Sequence, residues 1–222
     1  MNDITLLGIE LIICLIFILL SYKYLKILGL HIYTVVALIL SNMMSLKVIT
    51  IYNFDVNLGL IPFVTIFIAT NIMLQKKGQE EVKKNILILI LTSIISYFYF
   101  YLVSIMDSST INLFTNKSYD NIFLDSQRIY FALVTTMLYT TLFNSKLYYY
   151  LKRIKNKIWI SNLFSSIIIQ FLSSTLFILL AYTFTKDFID IVKLIIIRYM
   201  ISLIVIIFGT IIIYFANLMK EL

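Results

Sequence analysis

The sequence predicts an all-α polytopic bundle of transmembrane helices with about seven spans. Three observations predict it. Hydrophobic residues fill 61% of the 222 positions and charged residues only 13%. A soluble domain of this length needs more charge to wet its surface. Several apolar runs reach the ~20 residues that cross a bilayer. The links between runs also alternate in charge. Basic clusters follow the odd-numbered spans, and acidic or nearly neutral links follow the even-numbered ones. The positive-inside rule then sets the N-terminus outside and the C-terminus in the cytoplasm. The whole of 1–222 reads as one integral membrane domain with no soluble domain left to place. The net charge of +7 belongs to the basic loops and does not point to nucleic acid.

Span one is expected at 4–22, followed by Lys23 and Lys26. The start has no basic n-region and no small-residue cleavage site, so this span is expected to be retained. Span two is expected at 28–51 and carries His31, Ser41, Asn42, Ser45 and Lys47. Span three, 59–75, opens with Gly59 and Pro62, where a first-turn proline is tolerated, and carries Asn71 and Gln75. The lysine-rich stretch KKGQEEVKK leads to span four at 85–106, and a polar segment follows at 107–127. Span five, 128–150, runs from Arg128 to the tyrosines at 148–150 and includes Asn144. Span six, 158–184, begins beside Trp159, and span seven, 191–217, contains Arg198.

Span six carries the strongest pattern. Within WISNLFSSIIIQFLSSTLF, residues Asn162, Ser166, Gln170 and Ser173 recur every three to four positions and share one helix face. A polar stripe is costly against lipid, so it faces other helices or a cavity. Interhelical packing and a ligand path both remain open from the stripe alone. Arg198 is a charge inside a span, and such charges either turn inward to a partner or snorkel to the interface. Lys47, near the end of span two, reads as a snorkelling residue. Asn42, Asn71, Gln75, Asn144, Asn162 and Gln170 supply amides, which present a donor and an acceptor together and read a purine-like edge without charge. One histidine and one cysteine make no zinc site. No Ser-His-Asp set can be assembled from the spans, so enzyme chemistry is not expected.

Four segments together carry a resemblance. SNMMSLK at 41–47, GLIPFVTIFIATNIMLQKKG at 59–78, RIYFAL at 128–133 with TTLFNSKLYYYLK at 140–152, and WISNLFSSIIIQFLSSTLF at 159–177 are similar, in order and spacing, to the motifs of the queuosine-precursor transporter family, the vitamin-uptake-transporter-like group. The resemblance implies a six-span core, no cofactor and no metal. It implies import of 7-deazaguanine precursors of the tRNA nucleoside queuosine. Matching positions are Asn42, Lys47, Phe63, Gly78, Arg128, Asn162, Ser165, Gln170 and Phe177.

The departures from the family pattern remove charge. Asn71, Asn144 and Ser173 stand where the family has acidic residues, and Gln75 replaces a glutamate. A retuned pocket without proton relay through these sites is the expectation. The expected partners are the lipid bilayer and a small flat heterocycle; with no ATP-binding motif in the chain, it is expected to act either as a secondary carrier by alternating access or as the substrate-binding subunit of an energising transporter complex. The expected location is the inner (cell) membrane. The alternatives are transport of another vitamin or nucleobase, and a non-transporting membrane interaction protein.

Overall fold

The computed structural model describes residues 2–51, 54–106, 113–155 and 158–219, the side chains of 104, 113–126, 152, 155, 158, 159 and 162 apart. Six helices and one hairpin follow in order: α1 (Asp3–Met44), β1 (Val48–Ile51), β2 (Phe54–Asn57), α2 (Leu60–Lys77), α3 (Gln79–Ser104), α4 (Leu113–Lys155), α5 (Ile158–Tyr182) and α6 (Phe188–Leu218). Four of them, α1, α3, α5 and α6, hold stretches long and apolar enough to cross a membrane.

The first two expected spans form one element that breaks at Lys26, with φ 56° and ψ −133°. Arm 3–25 doubles back against arm 27–44. A Cβ on Gly29 would lie 2.1 Å from the Ser21 carbonyl oxygen, whereas an unbroken helix separates those residues by about 12 Å. The Cys14 thiol also interacts with the Tyr33 hydroxyl across the two arms.

The second arm stops at Met44, not at 51. The β-branched alternation of Val48-Ile-Thr-Ile favours an extended strand, and it pairs antiparallel with Phe54–Asn57, Val48 opposite Asn57 and Ile51 opposite Phe54. The Thr50 hydroxyl donates across the pair to Asp55 at 3.0 Å. Lys47 therefore sits in the turn between helix and hairpin, exposed. The polar segment expected at 107–127 is helical from Leu113 onward, and 107–112 lies outside the described residues.

The organising element is α2. Every residue from Leu60 to Leu74 is buried, with α1, α3 and α6 packed around it and α4 touching it. A helix enclosed on all sides carries no polar face. Its N-terminus meets the end of α1 closely. A Cβ on Gly59 would lie 2.1 Å from Ser45 Oγ and 2.2 Å from the Ser41 carbonyl oxygen. Its C-terminus closes at Gly78, whose φ of 82° is open to glycine at little cost. The expected lysine-rich loop is thus a one-residue link, and most of it is the first turn of α3.

The two ends of the bundle differ. At one end Lys76 donates to the carbonyls of Asn217 and Met219, both at 3.3 Å, placing a cation on the negative C-terminus of α6. Asn217 also donates to Gln75, and the Lys76 ammonium lies 5.8 Å from the Tyr22 ring beside the α1 break. At the opposite end the hairpin meets the α5–α6 link, where Asp55 and Lys186 pair at 3.8 Å.

Candidate functional site

A pocket of about 70 Å³ opens at the hairpin end. Asp55, Asn57, Tyr182 and Lys186 line its mouth, and Phe177 and Arg198 lie at its base. Arg198 is ten residues into α6, about 15 Å from the helix start. It does not snorkel. Its side chain is turned inward, 5% exposed, with the guanidinium carbon 3.9 Å from the Phe177 ring centre and 5.3 Å from that of Phe63. Two of its nitrogens, Nε and Nη2, have no hydrogen-bond partner. The Phe63 ring in turn stands edge-on to Phe67 at 5.5 Å.

A second layer lies further in. Asn144 Nδ2 on α4 donates to Asn71 Oδ1 on α2 at 2.6 Å, and Asn71 Nδ2 donates to Ser166 Oγ on α5 at 3.1 Å. Three helices are thereby tied at one level. Between this knot and the Arg198 level runs the α5 stripe: Ser166, Gln170, Ser173 and Phe177 occupy successive turns of one face, and all are buried. Gln170 Nε2, the Ser173 and Ser174 hydroxyls, Asn144 Oδ1 and the Thr136 and Thr141 hydroxyls lack partners. Leaving a buried donor or acceptor unmade costs roughly 1–3 kcal/mol. Such a band inside the bundle matches a site whose partners arrive with a ligand.

The structure thus places Phe177 and Arg198 in the pocket lining, Phe63 against the Arg198 guanidinium, and Asn71, Asn144, Gln170 and Ser173 buried in the bundle beyond them. Gln75 lies apart, half-buried at the lysine-rich end and bonded to α6. Asn42 is buried near the α1–α2 junction with Oδ1 unpartnered, one residue after Ser41, which donates to the Gly59 carbonyl at 2.9 Å. Lys47 and Arg128 are exposed. Asn162, in α5, falls outside the described side chains.

Sequence reasoning missed a buried network on the other side of α2. His31 Nδ1 meets Asn85 Oδ1, and His31 Nε2 meets Glu81 Oε1, each at 2.9 Å. Thr34 donates to the same Asn85 oxygen at 2.8 Å, and Asn85 Nδ2 donates to Thr70 Oγ1 at 3.4 Å. Thr70 spends its own proton on the Ile66 carbonyl, so it accepts from Asn85. That orientation leaves the Asn85 oxygen facing His31. The partners lie 50 and 54 positions from His31, beyond any local signal.

Bilayer-length helices packed around a buried, incompletely satisfied band of polar side chains fit a membrane transporter. A family profile described as "Putative vitamin uptake transporter" matches residues 57–216. The chain belongs to this family, which is also that of the queuosine-precursor transporters. No curated protein and no solved structure matches the chain.

Proposed function

We propose that this protein imports a small, flat nitrogen heterocycle across the cell membrane, with queuine or a 7-deazaguanine precursor of queuosine as the substrate. The observation that carries the reading is the α5 stripe. Gln170, Ser173 and Ser174 turn unpartnered polar atoms into the bundle, between the Asn71–Asn144 pair and the Arg198–Phe177 contact. Amides and hydroxyls there supply donors and acceptors to a heterocycle edge, and the rings of Phe63 and Phe177 supply faces for stacking.

In this reading the chain crosses the membrane seven times, twice through α1, with the hairpin end outside and the lysine-rich end in the cytoplasm. The pocket at the hairpin end is the external entrance. The Gln75 and Lys76 contacts to the end of α6 close the cytoplasmic side, and alternating access exchanges the two. Energy comes from a coupled ion or from a partner complex that the basic face docks.

Uptake of radiolabelled queuine and its precursors into cells producing the chain tests the reading. Accumulation of at least one of these compounds above control cells, abolished by Gln170→Leu in a folded protein, is the expected result. A Gln170→Leu variant that loses expression and stability instead would favour a packing role for the stripe. Sidedness is read separately, with single cysteines in a Cys14→Ser background. Position 187 should react with an impermeant thiol reagent in intact cells, and position 83 should not.

A further inference from the structure

We infer that the site selects heterocycles bearing a neutral or anionic acceptor edge and rejects those carrying an ammonium group. The inference rests on the importer reading above and narrows its substrates to the precursors without a side-chain amine, which sets aside queuine itself, whose secondary amine is protonated at neutral pH. Arg198 is its basis. The residue is 95% buried by complement of its 5% exposure, and Nε and Nη2 are unpartnered. Among the described residues no carboxylate forms an ion pair with it. Phe177 and Phe63 lie against the guanidinium, and their rings offset part of its charge but leave the Nε and Nη2 N–H groups without acceptors. Those groups form a planar fork that fits a carboxylate, or a carbonyl beside a ring nitrogen, through two parallel hydrogen bonds.

The rest of the cleft does not offset this charge. Asp55 at the mouth is engaged by Lys186 and by Thr50. The inner layer of Asn71, Asn144, Gln170 and Ser173 is neutral. An entering cation finds no unengaged carboxylate among the residues that line the pocket and meets an incompletely compensated guanidinium, and like charges repel strongly where water is excluded. An entering acceptor completes the two N–H groups that lack partners.

Three probes that share one ring and differ in substituent charge test the inference: 7-carboxy-, 7-cyano- and 7-aminomethyl-7-deazaguanine. Their affinities for the purified full-length protein in nanodiscs are measured by calorimetry. The carboxy and cyano compounds should bind more tightly than the aminomethyl compound by about tenfold or more, a factor of ten being 1.4 kcal/mol. Arg198→Gln should remove that preference, and Arg198→Lys, which keeps the charge, should retain it. Aminomethyl binding equal to or tighter than the others in the unaltered protein overturns the inference while leaving the importer reading intact, and needs no variant to be interpreted. If no deazaguanine binds, the assigned ring class fails. The charge inference is then decided on a pyridine ring, nicotinate against 3-(aminomethyl)pyridine. A preference for nicotinate that is lost in Arg198→Gln supports it, and no preference overturns it.

Discussion

The guanidinium of Arg198 lies over the Phe177 ring, its central carbon 3.9 Å from the ring centre. This contact offsets only part of the cost of burying a charge. Replacing an incompletely compensated buried charge with an apolar side chain of similar volume is often neutral or stabilising, by roughly 1–4 kcal/mol. Arg198→Met should therefore match or exceed the parent in ligand-free unfolding in detergent. Phe177→Ala, at a fully buried ring, should lose about 3–5 kcal/mol. Equal losses in the two variants would contradict the assignment of Arg198 to binding.

Asn71 and Asn144 form a direct hydrogen bond, and Gln170 Nε2 has no partner. A double-mutant cycle on Asn71→Leu and Asn144→Leu should show coupling of about 0.6 kcal/mol, the average for such bonds in membranes. Gln170→Leu should leave stability near that of the parent and abolish uptake. Zero coupling between the two asparagines would dissolve the knot on which the inner layer depends.

Two glycines separate tight backbone contact from tolerant packing. A Cβ at Gly59 meets the Ser41 backbone carbonyl, which cannot swing aside. At Gly209 it meets the Ile68 side chain, led by its terminal Cδ1. Gly59→Ala should cost about 3 kcal/mol and Gly209→Ala about 1 kcal/mol, the two ends of the usual overpacking range. Thermal midpoints of the purified variants check the order.

His31 joins the second arm of α1 to α3 through Glu81 and Asn85. Truncating His31 to alanine leaves Glu81 Oε1 without its partner and Asn85 Oδ1 with Thr34 alone, and should destabilise the protein by roughly 1–3 kcal/mol. Glu81→Gln, which keeps a hydrogen-bonding oxygen, should cost less. The comparison is made by unfolding at neutral pH.

The contacts of Gln75 and Lys76 with the end of α6 hold the lysine-rich end together. Removing both side chains should let a thiol reagent reach a cysteine placed at Ser166 faster from that side, in the Cys14→Ser background. An unchanged labelling rate would mean that this end is held shut elsewhere.

The α5 stripe was legible in the sequence because its spacing is local. Residues 166, 170 and 173 share a face wherever the helix goes. Phe177 extends the same face and was found through the family resemblance. Arg198 was visible as a charge, but its inward turn depends on Phe63 and Phe177, which come from two other helices. The β-hairpin was hidden because Val48–Ile51 is as apolar as the helix before it, so a span could be read through to 51. The break at Lys26 and the glycine link at Gly78 shortened two expected loops to almost nothing, since a single residue with positive φ suffices to turn the chain. The His31 network was invisible because a hydrogen bond across 50 positions leaves no periodicity.

The enclosure of α2 also bears on how the protein is made. A helix that touches neighbours on every side has no surface selected for solubility in lipid, and α2 is not among the described helices apolar and long enough to span by themselves. It should enter the bilayer poorly when it leaves the ribosome alone. The α1 arms emerge before it and α3 follows after a single glycine, so insertion of α2 is expected to wait for α3 and proceed as a folded pair. Truncations ending just after Lys77 should then stall at the translocon, whereas those reaching the end of α3 should integrate.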